Sequence, residues 1–250
     1  MLHFNPLIRA QRKNPKLIPI VIINFNQLFY LKKLVDFLVA RNFEKIVIVD
    51  NLSTYPPLLE YYKKLPRTVI VERMKENYGH MVFFQNTKLQ EKYGKGFYVV
   101  TDADINFYES TPEDFMEKIL NLLNRYHTTV TKVGFALNIE DLPDSYDLKP
   151  KVLAWEKQFS ENEIEKEVYL TSIDTTFALY LPGFPVKNNK DSFYKSLRVA
   201  GAYKVKHGGW YQNSANRSAE EQYYLNSASG SFSWRTDADG NINSEFKEVY

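Results

Sequence analysis

Two carboxylates, two residues apart, follow an apolar run near the middle of the chain. Residues 97–104 read FYVVTDAD, so Asp102 and Asp104 stand at the end of a predicted buried strand. Ligands of open α/β sheets bind at the carboxyl ends of strands. Carboxylates placed there can hold Mg²⁺ or Mn²⁺, which takes oxygen ligands and completes its shell with water and phosphate. Such an ion would stabilise the charge that develops on a diphosphate leaving group.

The same tetrapeptide, Thr-Asp-Ala-Asp, recurs at residues 236–239 in a different setting. This copy runs into Gly240 and Asn241, which are turn-forming residues. As a calcium-binding loop beginning at Asp237 it would have Ile242 where a glycine is required. We therefore interpret the second copy as a turn.

Composition narrows the class of protein. Among the 250 residues, 32 Lys and Arg against 30 Asp and Glu give a net charge of +2, which does not indicate a nucleic-acid partner. The chain has no cysteine, so a metal must be held by carboxylates and imidazole, and a reducing cytoplasm is the expected location. No secretory signal is predicted, and the apolar runs fall well short of the roughly 20 residues that span a bilayer. Any membrane attachment is expected to be peripheral.

The elements that must position these carboxylates alternate between strands and helices. We predict strands over residues 18–23, 46–49, 69–71, 97–100 and 133–137, a pattern typical of a mostly parallel sheet covered by helices. Between the first two strands, Leu31, Leu34, Val35 and Leu38 have helical spacing, and Asn26 is a candidate cap for that helix.

A further helix is predicted after residue 111, with Thr111 as its capping residue and Pro112 in its first turn. After about residue 138 the sequence becomes richer in Pro, Asn, Ser and Tyr, and one more strand is predicted over 176–181. We expect an N-terminal extension over 1–17, a single domain over 18–227 with halves 18–137 and 138–227, and a tail over 228–250.

Four segments, in this order, resemble a family 2 glycosyltransferase with the GT-A fold. They are PIVIINFN at 19–26, IVIVDNLST at 46–54, ENYGH at 76–80 followed by Gln85 and Asn86, and the triplet Asp102-Ala103-Asp104. Weaker likeness continues through 173–180, 198–203 and 207–211. The resemblance implies an α/β fold with a Rossmann-like, mostly parallel sheet flanked by helices. It also implies transfer of a sugar from a nucleotide diphosphate, expected to be UDP, to an acceptor hydroxyl with inversion and with Mn²⁺ or Mg²⁺.

The resemblance assigns the first half to the nucleotide sugar. The residues implied in donor binding are Asn24, Asn26, Asp50, Asn51, Asn77, Gly79, Asp102 and Ala103. Asn51 stands where the family often has a second acid, and Leu52 stands where it often has glycine. The alternative is that these polar residues only end strands and cap helices.

His207 is the candidate third metal ligand, beside Asp102 and Asp104. It lies between glycine and aromatic residues, and two carboxylates with one imidazole leave positions open for phosphate. A structural histidine is the alternative. Trp210 and Tyr211 are candidates for stacking on an acceptor sugar, and a place in the core is the alternative for both.

Asp174 lies where family 2 enzymes place a catalytic carboxylate, and it is our candidate for the base that deprotonates the acceptor. It can equally be a strand-entry residue that bonds the backbone of Thr175 or Thr176. Glu220 and Glu221, at the start of a possible helix, are the second candidates for the base. The acceptor is expected to be a glycan, a lipid-linked oligosaccharide or a protein glycan.

Two rival functions use the same fold. A nucleotidyltransferase should carry a glycine-rich loop with a basic residue after the first strand, and Asn24-Phe25-Asn26-Gln27 offers neither. A catalytically inactive protein that binds nucleotide or carbohydrate is the other. Neither a nucleophile-elbow pattern nor a dinucleotide-binding glycine fingerprint is present.

Overall fold

The apolar runs of the first half become neighbouring strands of one sheet. The computed structural model describes residues 5–173, 176–183 and 193–227, and only the backbone at Ser214. The strands in these residues are β1 (Ile20–Asn24), β2 (Ile46–Asp50), β3 (Val69–Arg73), β4 (Tyr98–Asp102), β5 (Ile105–Asn106), β6 (Lys132–Phe135), β7 (Glu163–Glu165), β8 (Val168–Thr171), β9 (Ala178–Tyr180), β10 (Ser196–Val199) and β11 (Lys206–His207).

Helices connect and cover these strands. The α-helices in the described residues are α1 (Pro6–Lys13), α2 (Phe29–Ala40), α3 (Pro56–Tyr62), α4 (Val82–Gln85), α5 (Thr87–Tyr93), α6 (Phe115–Tyr126), α7 (Lys149–Lys157) and α8 (Ala219–Ser227). Short 3₁₀ turns lie at Pro15–Leu17, Gln158–Ser160, Gly201–Tyr203, Gly208–Tyr211 and Ser214–Asn216.

The described strands of the main sheet have the order β3-β2-β1-β4-β9-β6-β10-β8-β7. The pairs β3–β2, β2–β1, β1–β4 and β6–β10 are parallel, and β9 enters antiparallel between β4 and β6. Only β8 and β9 run against the rest. β5 and β11 form a separate antiparallel pair. The predicted fold class, α/β with a mostly parallel sheet, is confirmed.

Alternate residues of each central strand enter different cores. In β1, Ile20 and Ile22 join the larger core, whereas Val21 and Ile23 join a second core on the other face. Successive side chains of a strand point to opposite faces, so a run buried throughout needs a cover on both faces. The helices α2 and α6 supply one cover, and α4 and α5 the other.

Both predicted helix caps are wrong. The helix α2 begins at Phe29, and its N-cap residue Leu28 makes no side-chain capping hydrogen bond. The helix α6 begins at Phe115 after Asp114, not at Thr111. In both cases the helix forms because its apolar face packs against the core, and its first residue differs from the predicted one. Packing stabilises a helix more than its cap does.

The predicted N-terminal extension packs against the sheet. Ile8 of α1 is buried in the larger core. The Gln11 side chain pairs with the Phe97 backbone through two hydrogen bonds, Nε2 to the carbonyl at 2.9 Å and the amide to Oε1 at 2.8 Å. The helix therefore fixes the start of the strand that ends in Asp102.

Candidate active site

The carboxyl ends of three parallel strands bring together three of the predicted residues. In the ladder register Asn24 of β1 pairs with Asp50 of β2, and Ile23 pairs with Asp102 of β4. Ala103 continues the contact, since its amide donates to the Ile23 carbonyl at 3.1 Å. These residues form one edge, which we call the donor edge.

Asp104 and His207 meet although they are far apart in sequence. The short ladder between β5 and β11 places His207 opposite Ile105. His207 Nε2 then lies 3.7 Å from Asp104 Oδ2, which is an ion-pair distance but longer than a hydrogen bond. The Gly208 amide donates to the Asp104 carbonyl at 2.7 Å, and the Gly209 amide donates to Oδ2 at 3.3 Å. Backbone contacts thus hold the carboxylate and the imidazole side by side.

The two glycines after His207 are required by space. A Cβ at Gly208 would lie 2.4 Å from the Tyr30 ring, and a Cβ at Gly209 would lie 3.0 Å from the His207 ring. Burial, together with the nearby charge of Asp104, raises the pKa of Tyr30 to about 12. Tyr30 was not a predicted site residue, because nothing in its local sequence separates it from the chain's 18 tyrosines.

The His207 ring stacks on Trp210, with 5.0 Å between centroids and 29° between planes. Its Nδ1 is buried and has no hydrogen-bond partner among the described residues. Trp210 is itself only 2% exposed, and its indole braces the imidazole. This position agrees with the core alternative, and contact of Trp210 with an acceptor sugar stays a prediction.

The predicted metal ligands are of types that a divalent ion accepts, but only two of the three side chains lie next to each other. Asp104 and His207 are adjacent, whereas Asp102 is on the same strand end two residues earlier. Among the described residues no three His, Asp or Glu side chains already converge on one point. Two oxygen ligands and an imidazole nitrogen suit Mn²⁺ or Mg²⁺ with open positions, provided that Asp102 turns toward the pair.

Asp50 is fully buried, and its carboxylate already has hydrogen-bond and ion-pair partners. It accepts from the Tyr62 hydroxyl at 3.0 Å and from the Ser53 amide at 3.2 Å, and Arg73 Nε lies 3.3 Å away. Burial raises the pKa of Tyr62, and the Asp50 charge adds to the shift. In this position Asp50 organises the turn after β2, as the alternative reading held, and its contact with a nucleotide stays a prediction.

Two asparagines also build loops at this edge. Asn26 has a φ of 52°, and its Oδ1 accepts from the amides of Thr54 and Tyr55 at 2.7 and 3.0 Å. Asn51 donates through Nδ2 to the Gly79 carbonyl at 3.0 Å. These side chains tie the loops after β1, β2 and β3 to one another, which places backbone groups at the donor edge.

The loop at Asn77 contains a tight turn, since Asn77 Oδ1 accepts from the Gly79 amide at 2.9 Å and Gly79 has a φ of 73°. Leu52 adopts the left-handed region too, with a φ of 60°. It is 42% exposed at the donor edge. A glycine adopts this backbone conformation without steric cost, which explains why a glycine suits this position in the family that the sequence resembles.

A cleft of about 450 Å³ opens beside Tyr78, at the end of β3. Its lining combines three cationic side chains, polar groups and an aromatic ring. The lining residues are Arg73, Met74, Lys75, Tyr78, Val82, Gln85, Asn86, Thr87 and Lys88.

Tyr211 belongs to a polar cluster next to the β5–β11 ladder. Its hydroxyl donates to Asp141, which also accepts from Tyr108 at 3.0 Å and pairs with Lys206 at 2.6 Å. Burial raises the pKa of Tyr211, and the hydrogen bond to Asp141 adds to the shift. The ring is partly exposed, so its contact with an acceptor stays a prediction.

The candidate base Asp174 lies outside the described residues. The chain just before it is held by Arg198, whose Nε donates to the Ser172 carbonyl at 2.8 Å. Arg198 Nη1 also pairs with Glu156 Oε2 at 2.7 Å, and both side chains are 8% exposed. The sequence-based prediction did not include this pair, because Glu156 of α7 and Arg198 of β10 are remote in sequence and meet only in the folded chain.

The two second candidates for the base have structural partners. Glu220 Oε1 accepts from the backbone amides of Leu28 and Phe29 at 2.8 and 2.9 Å, and so caps α2 from another helix. Glu221 Oε2 accepts from the Ser218 amide at 2.6 Å while its own amide donates to Ser218 Oγ at 3.2 Å. This capping box was readable in the sequence as Ser followed three positions later by Glu.

No protein-family model and no curated protein matches the chain. Among solved structures it resembles the mannosyltransferase PcManGT from Pyrobaculum calidifontis, in complex with GDP-Man and Mn²⁺, at 15% identity and a TM-score of 0.46 over 74% of this chain and 56% of that one. It also resembles S. aureus TarS 1–349, at 15% identity and a TM-score of 0.40 over 71% of this chain and 50% of that one. A third similar structure is UDP-glucose pyrophosphorylase from Acinetobacter baumannii, at 11% identity and a TM-score of 0.45 over 77% of this chain and 89% of that one.

The chain spans about half the length of the first two structures, 56% and 50%. The sheet topology by itself establishes the α/β fold class, and these distant structural similarities are consistent with it. The donor, the acceptor and the reaction are not inferred from them.

None of the described helices is both long enough and apolar enough to cross a lipid bilayer.

Proposed function

We propose that the chain is a divalent-metal-dependent glycosyltransferase that moves a sugar from a nucleotide diphosphate, with UDP as the expected carrier, to an acceptor hydroxyl. The observation that carries this proposal is the meeting of Asp104 and His207 beside the end of β4. Asp102 ends the same strand, so the three residues together offer carboxylate and imidazole ligands of the kind that Mn²⁺ and Mg²⁺ accept.

The position of these ligands also supports the proposal. They lie at the carboxyl edge of a parallel sheet, where open α/β folds bind nucleotides. A bound divalent ion would neutralise charge on the departing diphosphate. The chain's own contribution is to fix the ligands: the glycine amides orient Asp104, and Trp210 orients the imidazole.

In the proposed reaction the acceptor oxygen forms a bond to the anomeric carbon while the bond from that carbon to the diphosphate oxygen breaks. The bonding electron pair leaves with the nucleoside diphosphate, and the acceptor proton passes to Asp174. A single displacement of this kind inverts the anomeric configuration. The assignment of Asp174 rests on the sequence, and the ties of Glu220 and Glu221 to backbone amides favour it over them.

The test is turnover of labelled UDP-sugars and GDP-mannose with Mn²⁺, with Mg²⁺ and with EDTA. We expect release of nucleoside diphosphate that requires the metal. Metal-dependent binding without any release would instead indicate an inactive nucleotide-sugar-binding protein. Formation of pyrophosphate from a nucleoside triphosphate and a sugar phosphate would indicate a nucleotidyltransferase.

A further inference from the structure

The helix α8 lies across the donor edge and is held there by polar contacts. Its Tyr223 hydroxyl donates to Thr54 Oγ1 at 3.0 Å, and its Ser227 Oγ accepts from Asn26 Nδ2 at 2.8 Å. Both partners belong to loops that follow the parallel strands β1 and β2. The helix therefore bridges two of the loops on which the proposed function depends.

A third contact fixes the start of α8 to the start of α2. Glu220 supplies the carboxylate that caps the amides of Leu28 and Phe29. A carboxylate at a helix N-terminus gains from both hydrogen bonding and the helix dipole. Because α2 has no capping side chain of its own in the described chain, Glu220 is the latch between the two helices.

The middle of α8 lies close to the proposed metal ligands. Burial raises the pKa of Tyr224, and the charges of Asp104 and Asp102 raise it further. The Tyr224 ring also meets Phe25, the residue after β1, in an edge contact of 6.3 Å between centroids. The Tyr224 ring thus lies beside the residue that follows β1.

No residue of this helix is fully buried. All nine residues of α8 are described, and Tyr223 and Tyr224 pack against the rings of Tyr55 and Phe25. The buried face of an ordinary surface helix supplies most of its stability. A helix held by surface ring contacts and a few hydrogen bonds can leave its place more easily than a helix with a face in the core.

The charges around the helix oppose a bound diphosphate. Glu220 caps the amides of Leu28 and Phe29, just before Tyr30, and the charges of Glu220, Glu221 and Asp104 all raise the pKa of Tyr30. The acidic first turn of α8 therefore lies on the same side of the molecule as Asp104. A donor diphosphate would therefore meet additional negative charge while α8 stays in this position.

We propose that α8 is a lid, shown here closed over the donor edge and latched by Glu220 on the N-terminus of α2, and that the nucleotide binds when it opens. This inference rests on the proposed function. A ligand that binds only an open fraction of the protein has its apparent Kd raised in inverse proportion to that fraction. Weakening the latch should therefore tighten nucleotide binding.

The experiment measures the Kd of UDP and of GDP, each with Mn²⁺, by calorimetry for wild type, Glu220→Gln and Tyr223→Phe. Tyr223→Phe removes the Thr54 hydrogen bond and leaves the α2 cap intact. Glu165→Gln is the control, because Glu165 pairs with Arg125 at the far edge of the sheet. We expect Kd to fall roughly five- to tenfold in Glu220→Gln, to fall in Tyr223→Phe, and to stay unchanged in the control.

Hydrogen exchange of residues 219–227 supplies the second readout. Saturating nucleotide should speed exchange of α8 in the wild type if the lid opens. Weaker binding by both latch variants, or slower exchange of α8 with nucleotide, would overturn the proposal and make α8 a fixed wall of the site. If no variant binds either nucleotide, the proposed function fails. The lid is then tested by exchange alone, and unchanged exchange of α8 in Glu220→Gln overturns it.

Discussion

His207 Nε2 and Asp104 Oδ2 lie 3.7 Å apart because a two-residue ladder between β5 and β11 joins two segments that are remote in sequence. The amides that follow His207 bind the backbone and the carboxylate of Asp104. The imidazole is therefore placed by main-chain geometry, and the consequences can be tested by changing either partner or the turn that carries them.

Removing the Asp104 carboxylate should abolish metal-dependent nucleotide binding. In Asp104→Asn we expect no Mn²⁺-dependent rise in melting temperature with UDP or GDP, since a ligand stabilises only what it binds. The matched control is Asp239→Asn, in the second Thr-Asp-Ala-Asp copy. Equal losses in the two variants would contradict the assignment of the site to the first copy.

Gly208→Ala should destabilise the protein by about 1–3 kcal/mol, the usual cost of overpacking. The added Cβ would lie 2.4 Å from the Tyr30 ring, which packs beside Asp104. Urea unfolding of Gly208→Ala, Tyr30→Ala and the double variant gives the coupling between them. The double variant should lose less than the sum of the single losses, and simple additivity would show that the two groups do not clash.

Leu52→Gly should leave stability unchanged or raise it by up to about 1 kcal/mol. The left-handed backbone at Leu52 costs a side chain roughly 1–2 kcal/mol, and the greater freedom of glycine in the unfolded chain offsets part of that gain. Leu59→Gly, inside α3, is the control and should lose about 1 kcal/mol or more. A comparable loss at both positions would refute strain at Leu52.

The buried pair of Glu156 and Arg198 should make stability depend on pH. Burial raises the pKa of Glu156 above its ordinary value of 4.5, although Arg198 opposes the shift. The native state then holds this proton more tightly than the unfolded chain does. The stabilisation that this protonated Glu156 contributes is complete below the pKa of Glu156 in the unfolded chain, and it is lost as pH rises through the folded-state pKa.

Glu156→Gln removes this titration. As pH rises above the ordinary carboxyl pKa of 4.5, the unfolding free energy of the wild type should fall relative to that of the variant. Urea denaturation of both proteins below and above this pH measures the difference. A constant difference at all pH values would show that Glu156 does not titrate with a raised pKa.

Asp174→Asn should separate binding from turnover if Asp174 accepts the proton. We expect donor affinity near that of the wild type and a rate reduced about 10²–10⁴-fold, the usual worth of a general base. The wild-type product should have the anomeric configuration opposite to that of the donor, read by NMR. A retained configuration, or wild-type turnover by Asp174→Asn, would remove Asp174 from this role.

The strands β1, β2, β3, β4, β6 and β9, and the carboxylates that end β2 and β4, could be predicted from the sequence, whereas β5, β7, β8, β10 and β11 were not predicted. Runs such as residues 46–49 are apolar at every position, and only a strand covered on both faces buries all of them. Because Asp50 and Asp102 follow such runs directly, their place at one edge of the sheet was determined too. The capping box of Ser218 and Glu221 was equally local and needed no tertiary information.

The contacts of those polar residues depended on the tertiary structure. Asn26 has the residue type of a helix cap, yet it ties the loops after β1 and β2 together while Glu220 caps α2 from a distant helix. Asp50 and Trp210 are candidates for ligand contact, which stays a prediction, and in the fold they contact Tyr62 and His207. A short side chain finds partners according to which loops pack beside it, and that packing depends on contacts between segments remote in sequence.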